Sequence, residues 1–247
     1  MENNFGSLQI KLRLNFLYPR LARVFVIINF MQVIPAINAQ NFEEVKKQME
    51  VAAKIIPAGG LIHIDVTDGK FTANVTWGNP KELQDLLTNY KLLIANFEVH
   101  LMVNNPEEVI EDWAKTRLVG RAIVHLEAMR DPEFILSRCQ KYGLEPMLAI
   151  NPETDVKNLE PYLDKFPAFR ILAVKPGLAG QKFNPEVINK IQFLKERAAN
   201  AKIEVDGGIN PETAKICKDA GANILISASY IFENKNPKAA LEELSKV

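Results

Sequence analysis

Cysteine is nearly missing from this 247-residue chain: there are two, Cys139 and Cys217, far apart. With no Cys-x-x-Cys pair and no dense framework, a disulfide scaffold and a thiolate zinc ribbon are excluded. The pattern suits reduced thiols in a cytoplasmic protein. Net charge is missing too. Thirty basic and thirty acidic residues cancel, which argues against nucleic acid or an anionic membrane as a partner. No apolar run has the length of a membrane span. Histidine is scarce, with only His63, His100 and His125. What is plentiful is apolar material, 47% of all residues, enough to bury a full core.

The first thirty residues stand apart. "KLRLNFLYPRLARVFVIINF" carries Lys11, Arg13, Arg20 and Arg23 and no acid. Followed by "AINAQ", it reads either as a signal peptide cleaved after Ala39 or as sequence upstream of a natural start at Met31. The second reading is favoured, because cleavage after Ala39 would remove "MQVIPAI", a strand the fold needs. Residues 1–30 are therefore expected to be an N-terminal extension, and residues 31–247 one domain.

From Met31 onward, short β-type runs alternate with helical ones. The former are "MQVIPAI", "LIHIDV", "FEVHLMV", "RAIVHLE", "EPMLAIN", "FRILAV", "KIEVDG" and "ANILISA". Between them lie segments such as "FEEVKKQMEVAAKI", "PEEVIEDWAKT", "DPEFILSRCQKY", "NPEVINKIQFLKERAA" and "NPETAKICKDA". Several open on Asn-Pro or Asp-Pro, a cap followed by a first helical position. Eight such repeats predict an α/β fold of the (β/α)₈ TIM-barrel type. A doubly wound open sheet is the alternative, but it wants a glycine-rich turn after the first strand, and "IPAINAQNF" has no glycine.

A barrel gathers the carboxyl ends of its strands at one mouth. His63 and Asp65 in the second strand, His100 in the third, His125 and Glu127 in the fourth and Asp206 in the seventh are thus expected near one another. Two imidazoles and two carboxylates from three strands suit a Zn²⁺-, Mn²⁺- or Fe²⁺-type ion, or equally a paired polar cluster. A second constellation is glycine-rich. "VKPGLAGQKF", "DGGIN" and "SAS" follow the last three strands, where barrels often bind phosphate through backbone N–H groups.

The stretches "HIDVTDGKFTANVTWG", "EVHLMVNNPEEVIEDW", "VHLEA", "VKPGLAGQKFNPEVINKI" and "IEVDGGINPETA" resemble, in order and spacing, the ribulose-phosphate 3-epimerase family. The resemblance runs from about Met31 to the C-terminus. It implies a barrel that interconverts ribulose 5-phosphate and xylulose 5-phosphate, with a divalent metal ion (Zn²⁺, Fe²⁺ or Mn²⁺) on His63, Asp65, His100 and Asp206. Asp65 and Asp206 would also be the two acid/base groups. His100 together with Gly177, Leu178, Ala179, Gly180, Gly207, Gly208, Ala228 and Ser229 would contact the phosphorylated substrate. His125 is given no catalytic role and is expected to be a packed polar residue. A homo-oligomer is expected, with no nucleic-acid or membrane partner.

Some positions depart from the family pattern. Thr67 and Leu172 stand where methionines are usual, although Met102 is kept. Ala39 is aligned with a substrate-binding serine. Lys175 replaces an asparagine before Pro-Gly, and Ala228–Ser229 replace Gly-Ser. The rival readings are an epimerase for a longer sugar such as allulose 6-phosphate, which "AGQ" would suit, and a decayed barrel that only binds sugar phosphates. A sugar-phosphate decarboxylase or aldolase would want Asp-x-Lys-x-x-Asp, which "DVTDGK" does not supply.

Overall fold

The computed structural model describes residues 31–57, 60–90 and 96–247. Expectations for residues 1–30, including the choice between signal peptide and upstream extension, lie outside the described residues. Eight parallel strands follow one another around a closed barrel, and the first pairs with the last. They are β1 (Gln32–Ile37), β2 (Leu61–Thr67), β3 (Asn96–Met102), β4 (Val119–His125), β5 (Glu145–Ile150), β6 (Ala168–Leu172), β7 (Lys202–Asp206) and β8 (Ile224–Ser227). The expected runs differ from these by a residue or two at their ends.

Helices α1 (Phe42–Ile55), α2 (Pro80–Tyr90), α3 (Pro106–Lys115) and α4 (Pro132–Tyr142) follow the first four strands. After β6 and β7 come α5 (Ile188–Arg197) and α6 (Pro211–Ala220), and after β8 come α7 (Ser229–Phe232) and α8 (Pro237–Ser245). Between β5 and β6 the crossover is a 3₁₀ segment, Val156–Tyr162, with Pro161 inside it. Proline lacks the N–H that a longer helix would need there. The Asx-Pro starts behave as the sequence implies. Asp131, Asn210 and Asn236 each accept backbone N–H bonds at the starts of α4, α6 and α8. Asn105 is the exception: its side chain donates to Glu108 Oε1 instead. None of the helices described is long and apolar enough to cross a membrane.

Strand alternation sends one set of side chains outward and the other to the axis. The outward set packs with the helices in the main apolar core, around Ile64, Val99, Leu101, Val124, Phe169, Val205 and Leu225. The inward set forms two smaller apolar clusters. One is Ile34, Ala36, Ile224 and Ile226; the other is Ile123, Met147, Ala149, Ala168 and Leu172. Beside them the inward positions are polar. His63, Asp65, Glu98, His100, Arg121, His125, Arg170 and Glu204 are all buried.

Candidate active site

Parallel registration fixes the first polar group. Asp65 on β2 pairs with His100 on β3, and Leu172 on β6 pairs with Asp206 on β7, while His63 pairs with Glu98 one layer below and reaches Asp65 through its ring. His63 Nε2 and His100 Nδ1 lie 3.0 and 2.9 Å from the same oxygen, Asp65 Oδ1. One ligand-type atom from each of His63, Asp65, His100 and Asp206 falls within 4.8 Å of every other. Behind them, His63 Nδ1 contacts Glu98 Oε1 at 2.9 Å, and His100 Nε2 contacts His125 Nε2 at 2.8 Å. His125 Nδ1 in turn meets Glu127 at 3.2 Å, and the Phe71 ring covers His125 with centroids 4.7 Å apart. His125 is thus a fully buried partner of His100, in line with the packed polar role expected of it. Glu127 meets His125 through Oε2, and its Oε1 accepts from Asn151 N and Thr154 Oγ1.

One layer below lie charges the sequence reading passed over. Arg170 on β6 donates from Nε to Glu204 at 2.6 Å, and its Nη1 lies 3.0 Å from Asp206 Oδ2 and 2.9 Å from His100 Nδ1. Arg121 on β4 bonds Glu98 at 2.6 Å, Glu204 at 3.2 Å and Glu145 at 2.8 Å. The available signal was parity. Glu98 precedes His100, Glu204 precedes Asp206 and Arg170 precedes Leu172 by two residues, so each shares the inward face of its strand.

These neighbours drive the two acids apart. Burial alone would raise Asp65, but His63 and His100 hold its carboxyl well below the usual range. Burial lifts Asp206 to about 6: the Arg170 cation opposes the rise and the Asp65 charge adds to it. Burial and Arg170 push His63 down, yet Asp65 and Glu98 outweigh them and raise the ring to about 9. For His100, burial and Arg170 win, and it falls well below the ordinary imidazole value. One low and one raised carboxyl side by side is the pattern of a base paired with an acid.

Asp65 and Asp206 form part of the wall of a cleft that Asn38, Met102 and Leu172 also line. Every glycine-loop residue expected to meet the phosphate borders the same cleft: Gly177 to Gly180, Gly207, Gly208, Ala228 and Ser229. His63 and His100 sit beneath its floor and are fully buried. Two glycines are required by close approach. Gly177 has φ 123°, and a Cβ there would fall 2.1 Å from Asn74 Oδ1; Gly208 has φ 66°, and a Cβ would fall 2.4 Å from Phe183 N. The loops after β2, β6 and β7 are therefore pressed together around the cleft.

The match that decides kinship covers most of the domain: the ribulose-phosphate 3 epimerase family model aligns with residues 32–232. The chain belongs to this family. A ribulose-phosphate 3-epimerase of Chlamydia trachomatis is 40% identical over 179 residues, covering 70% of this chain and 75% of that protein. One from Schizosaccharomyces pombe is 31% identical, covering 86% of this chain and 92% of its own. Among solved structures, the 3-hexulose-6-phosphate synthase of Salmonella typhimurium superposes with a TM-score of 0.65 at 13% identity, over 87% of this chain and 97% of that one. That likeness is one of fold alone.

As a member of the ribulose-phosphate 3-epimerase family, the chain holds its departures in informative places. Ala39 does not reach the cleft. It lies in the helix-facing core, 3% exposed, because positions 34, 36 and 38 share the inward parity and 39 does not. Ala36 and Asn38 border the cleft instead, and Asn38 Nδ2 donates to Asp65 Oδ2 at 2.9 Å and to Gly177 O at 2.8 Å. Thr67 is buried, and its Oγ1 accepts from Thr76 N at 2.8 Å, pinning the loop after β2. Met102 and Leu172 stay at the cleft, and Lys175 is exposed at its edge. The His63, Asp65, His100 and Asp206 group can hold a metal ion as far as donor type goes. Each imidazole has its second nitrogen engaged by Glu98 or His125, the arrangement that turns the other nitrogen toward a cation.

Proposed function

We propose that the chain interconverts D-ribulose 5-phosphate and D-xylulose 5-phosphate, with Asp65 and Asp206 exchanging the proton at carbon 3. The observation that carries this is the pair itself. Two carboxyls from β2 and β7 meet at one cleft, one held low and one raised to about 6. Epimerisation next to a ketone removes a proton from one face of the carbon and returns one to the other face. It needs a base and an acid on opposite sides, whose roles exchange with direction. Asp65, held ionised, accepts the proton in one direction, while Asp206 in its protonated form delivers the other.

The loops carrying Gly177–Gly180, Gly207–Gly208 and Ala228–Ser229 would hold the phosphate, the end of the substrate remote from the acids. Asn38 ties Asp65 to the Gly177 carbonyl and so fixes the base relative to that loop. The charge developing on the ketose oxygens needs a positive partner beside His63, Asp65, His100 and Asp206, whose donor types suit a divalent ion (Zn²⁺, Fe²⁺ or Mn²⁺). The domain that does this is residues 31–247, acting in the cytoplasm as a homo-oligomer. The buried, unpaired Cys139 and Cys217 support the compartment, and the family likeness supports the assembly.

"AGQ" gives no support to a longer sugar. The Gln181 amide donates to Lys175 O and Leu178 O, both at 2.8 Å, and is occupied inside its own loop. The intact four-residue cluster weighs against a binding-only barrel. The test is a coupled epimerase assay in deuterated buffer. Early product should carry deuterium at carbon 3, because the proton removed stays on one aspartate while the other delivers one from solvent. Predominantly unlabelled product, with back-exchange controlled, excludes Asp65 and Asp206 as opposite-face partners.

A further inference from the structure

The side chain that departs most from a simple metal site is Arg170. It is fully buried, and its Nη1 stands within hydrogen-bond distance of three of the four donor atoms: 2.9 Å from His100 Nδ1, 3.0 Å from Asp206 Oδ2 and 3.3 Å from His63 Nε2. Its Nη2 lies 3.1 Å from His63 Nδ1, so the guanidinium lies along the imidazole with one nitrogen against each ring nitrogen. An ion bonded to all four donors, at the ~2.0–2.2 Å usual for such ligands, would be pressed against a nitrogen that already contacts three of them. Cation would meet cation.

Nor is the guanidinium free to withdraw. Glu204 grips it from behind through both Nε and Nη2, and Glu98 lies 3.5 Å from Nη2. Its neighbours on the same face of β6, Ala168 and Leu172, belong to a closed apolar cluster.

We propose that Arg170 is the resident cation of this site, its guanidinium standing where a divalent ion on His63, Asp65, His100 and Asp206 would otherwise sit. The proposal rests on the epimerase reading for its purpose, since the charge developing on the substrate oxygens needs a positive partner at that point. Its central measurement is independent of turnover. A guanidinium is a fixed cation with directed N–H groups, so the cluster remains assembled when divalent ions are removed.

The experiment is metal analysis of the purified full chain, loaded in turn with Zn²⁺, Mn²⁺ and Fe²⁺ and dialysed into metal-free buffer. Well under one equivalent should remain in the wild-type protein, and any epimerase activity should survive exhaustive chelation. Arg170→Met keeps an unbranched stem without the charge. It should retain about one equivalent and bind Zn²⁺ at least roughly tenfold more tightly, because a buried positive charge has been lifted from the ion's place. Should that variant fail to fold, Arg170→Met with Glu204→Gln removes the carboxylate left unpaired and is measured in its place. A tightly held equivalent in the wild type, activity that needs an added ion, or no gain in affinity without Arg170 would each overturn the proposal. A wild-type protein inactive on ribulose 5-phosphate under every condition fails the epimerase reading instead, and the metal titration still decides the place of Arg170.

Discussion

Replacing Arg121 by Met isolates the contribution of the charged layer beneath the site. Arg121 is 5% exposed at its side chain and bonds Glu98, Glu204 and Glu145. Both Glu98 and Glu204 are wholly buried. Without Arg121, Glu98 keeps His63 and a 3.5 Å contact to Arg170, while Glu204 keeps Arg170 alone. Breaking a buried ion pair from one side typically costs about 3–5 kcal/mol. For a domain of this size that is a fall in melting temperature of roughly 6–20 °C. The loss should depend on pH. Glu98 is held down to about 2, a carboxylate whose stabilisation is present above its unfolded value near 4.5 and lost as pH falls toward 2. Burial raises Glu204, so its folded form binds protons more tightly than the unfolded one, and stability falls as pH climbs above that same unfolded value. Taking Arg121 away lifts both groups, so the deficit is smallest near pH 2, where Glu98 is protonated in wild type and variant alike, and is larger at pH 8. Thermal unfolding followed by circular dichroism at those two pH values measures it, and Arg121→Met with Glu204→Gln should recover part of the loss. A single variant within about 1 kcal/mol of wild type at pH 8 would refute the claim that Arg121 neutralises this layer.

Catalysis should have a basic limb: kcat/KM needs one proton on the aspartate pair, so it should decline as pH rises through about 6, where Asp206 loses its proton. Both reaction directions should show the same profile, and a flat response from pH 5.5 to 8.5 would contradict the role of Asp206. A chain beginning at Met31 should fold and turn over as well as the full chain, because the family match starts at Gln32; a soluble yield and kcat comparison checks this.

The barrel was legible because its signal is repeated eight times. Each apolar run flanked by an Asx-Pro helix start reinforces the next, and errors of a residue or two at the ends do not change the topology. The acids and histidines were legible for a narrower reason. His63 with Asp65, and His100 two positions before Met102, show their shared face directly in the sequence. Arg170 was not legible in the same way. A lone arginine in "FRILAV" can equally face the helices and extend to solvent along their surface. Its parity with Leu172, two positions on, points to the axis, and the pairing of Leu172 with Asp206 fixes its side. Ala39 shows the opposite failure, where an alignment one step out of parity moves a residue from cleft to core. Asn38 needed the return of the β6 loop, 139 residues later in the chain, before its amide had its second partner.

The charged axis has a consequence for how such a protein can change over generations. A helix-facing residue such as Ile64 or Val99 can be exchanged for another apolar shape at small cost, one position at a time. On the axis, Glu98 touches both His63 and Arg121, while Glu204 touches both Arg121 and Arg170. No member can be altered without unbalancing a neighbour, and the chain of neighbours ends at the two acids. Drift is therefore easier in the apolar layers of this barrel than along its charged axis, which moves by paired replacements.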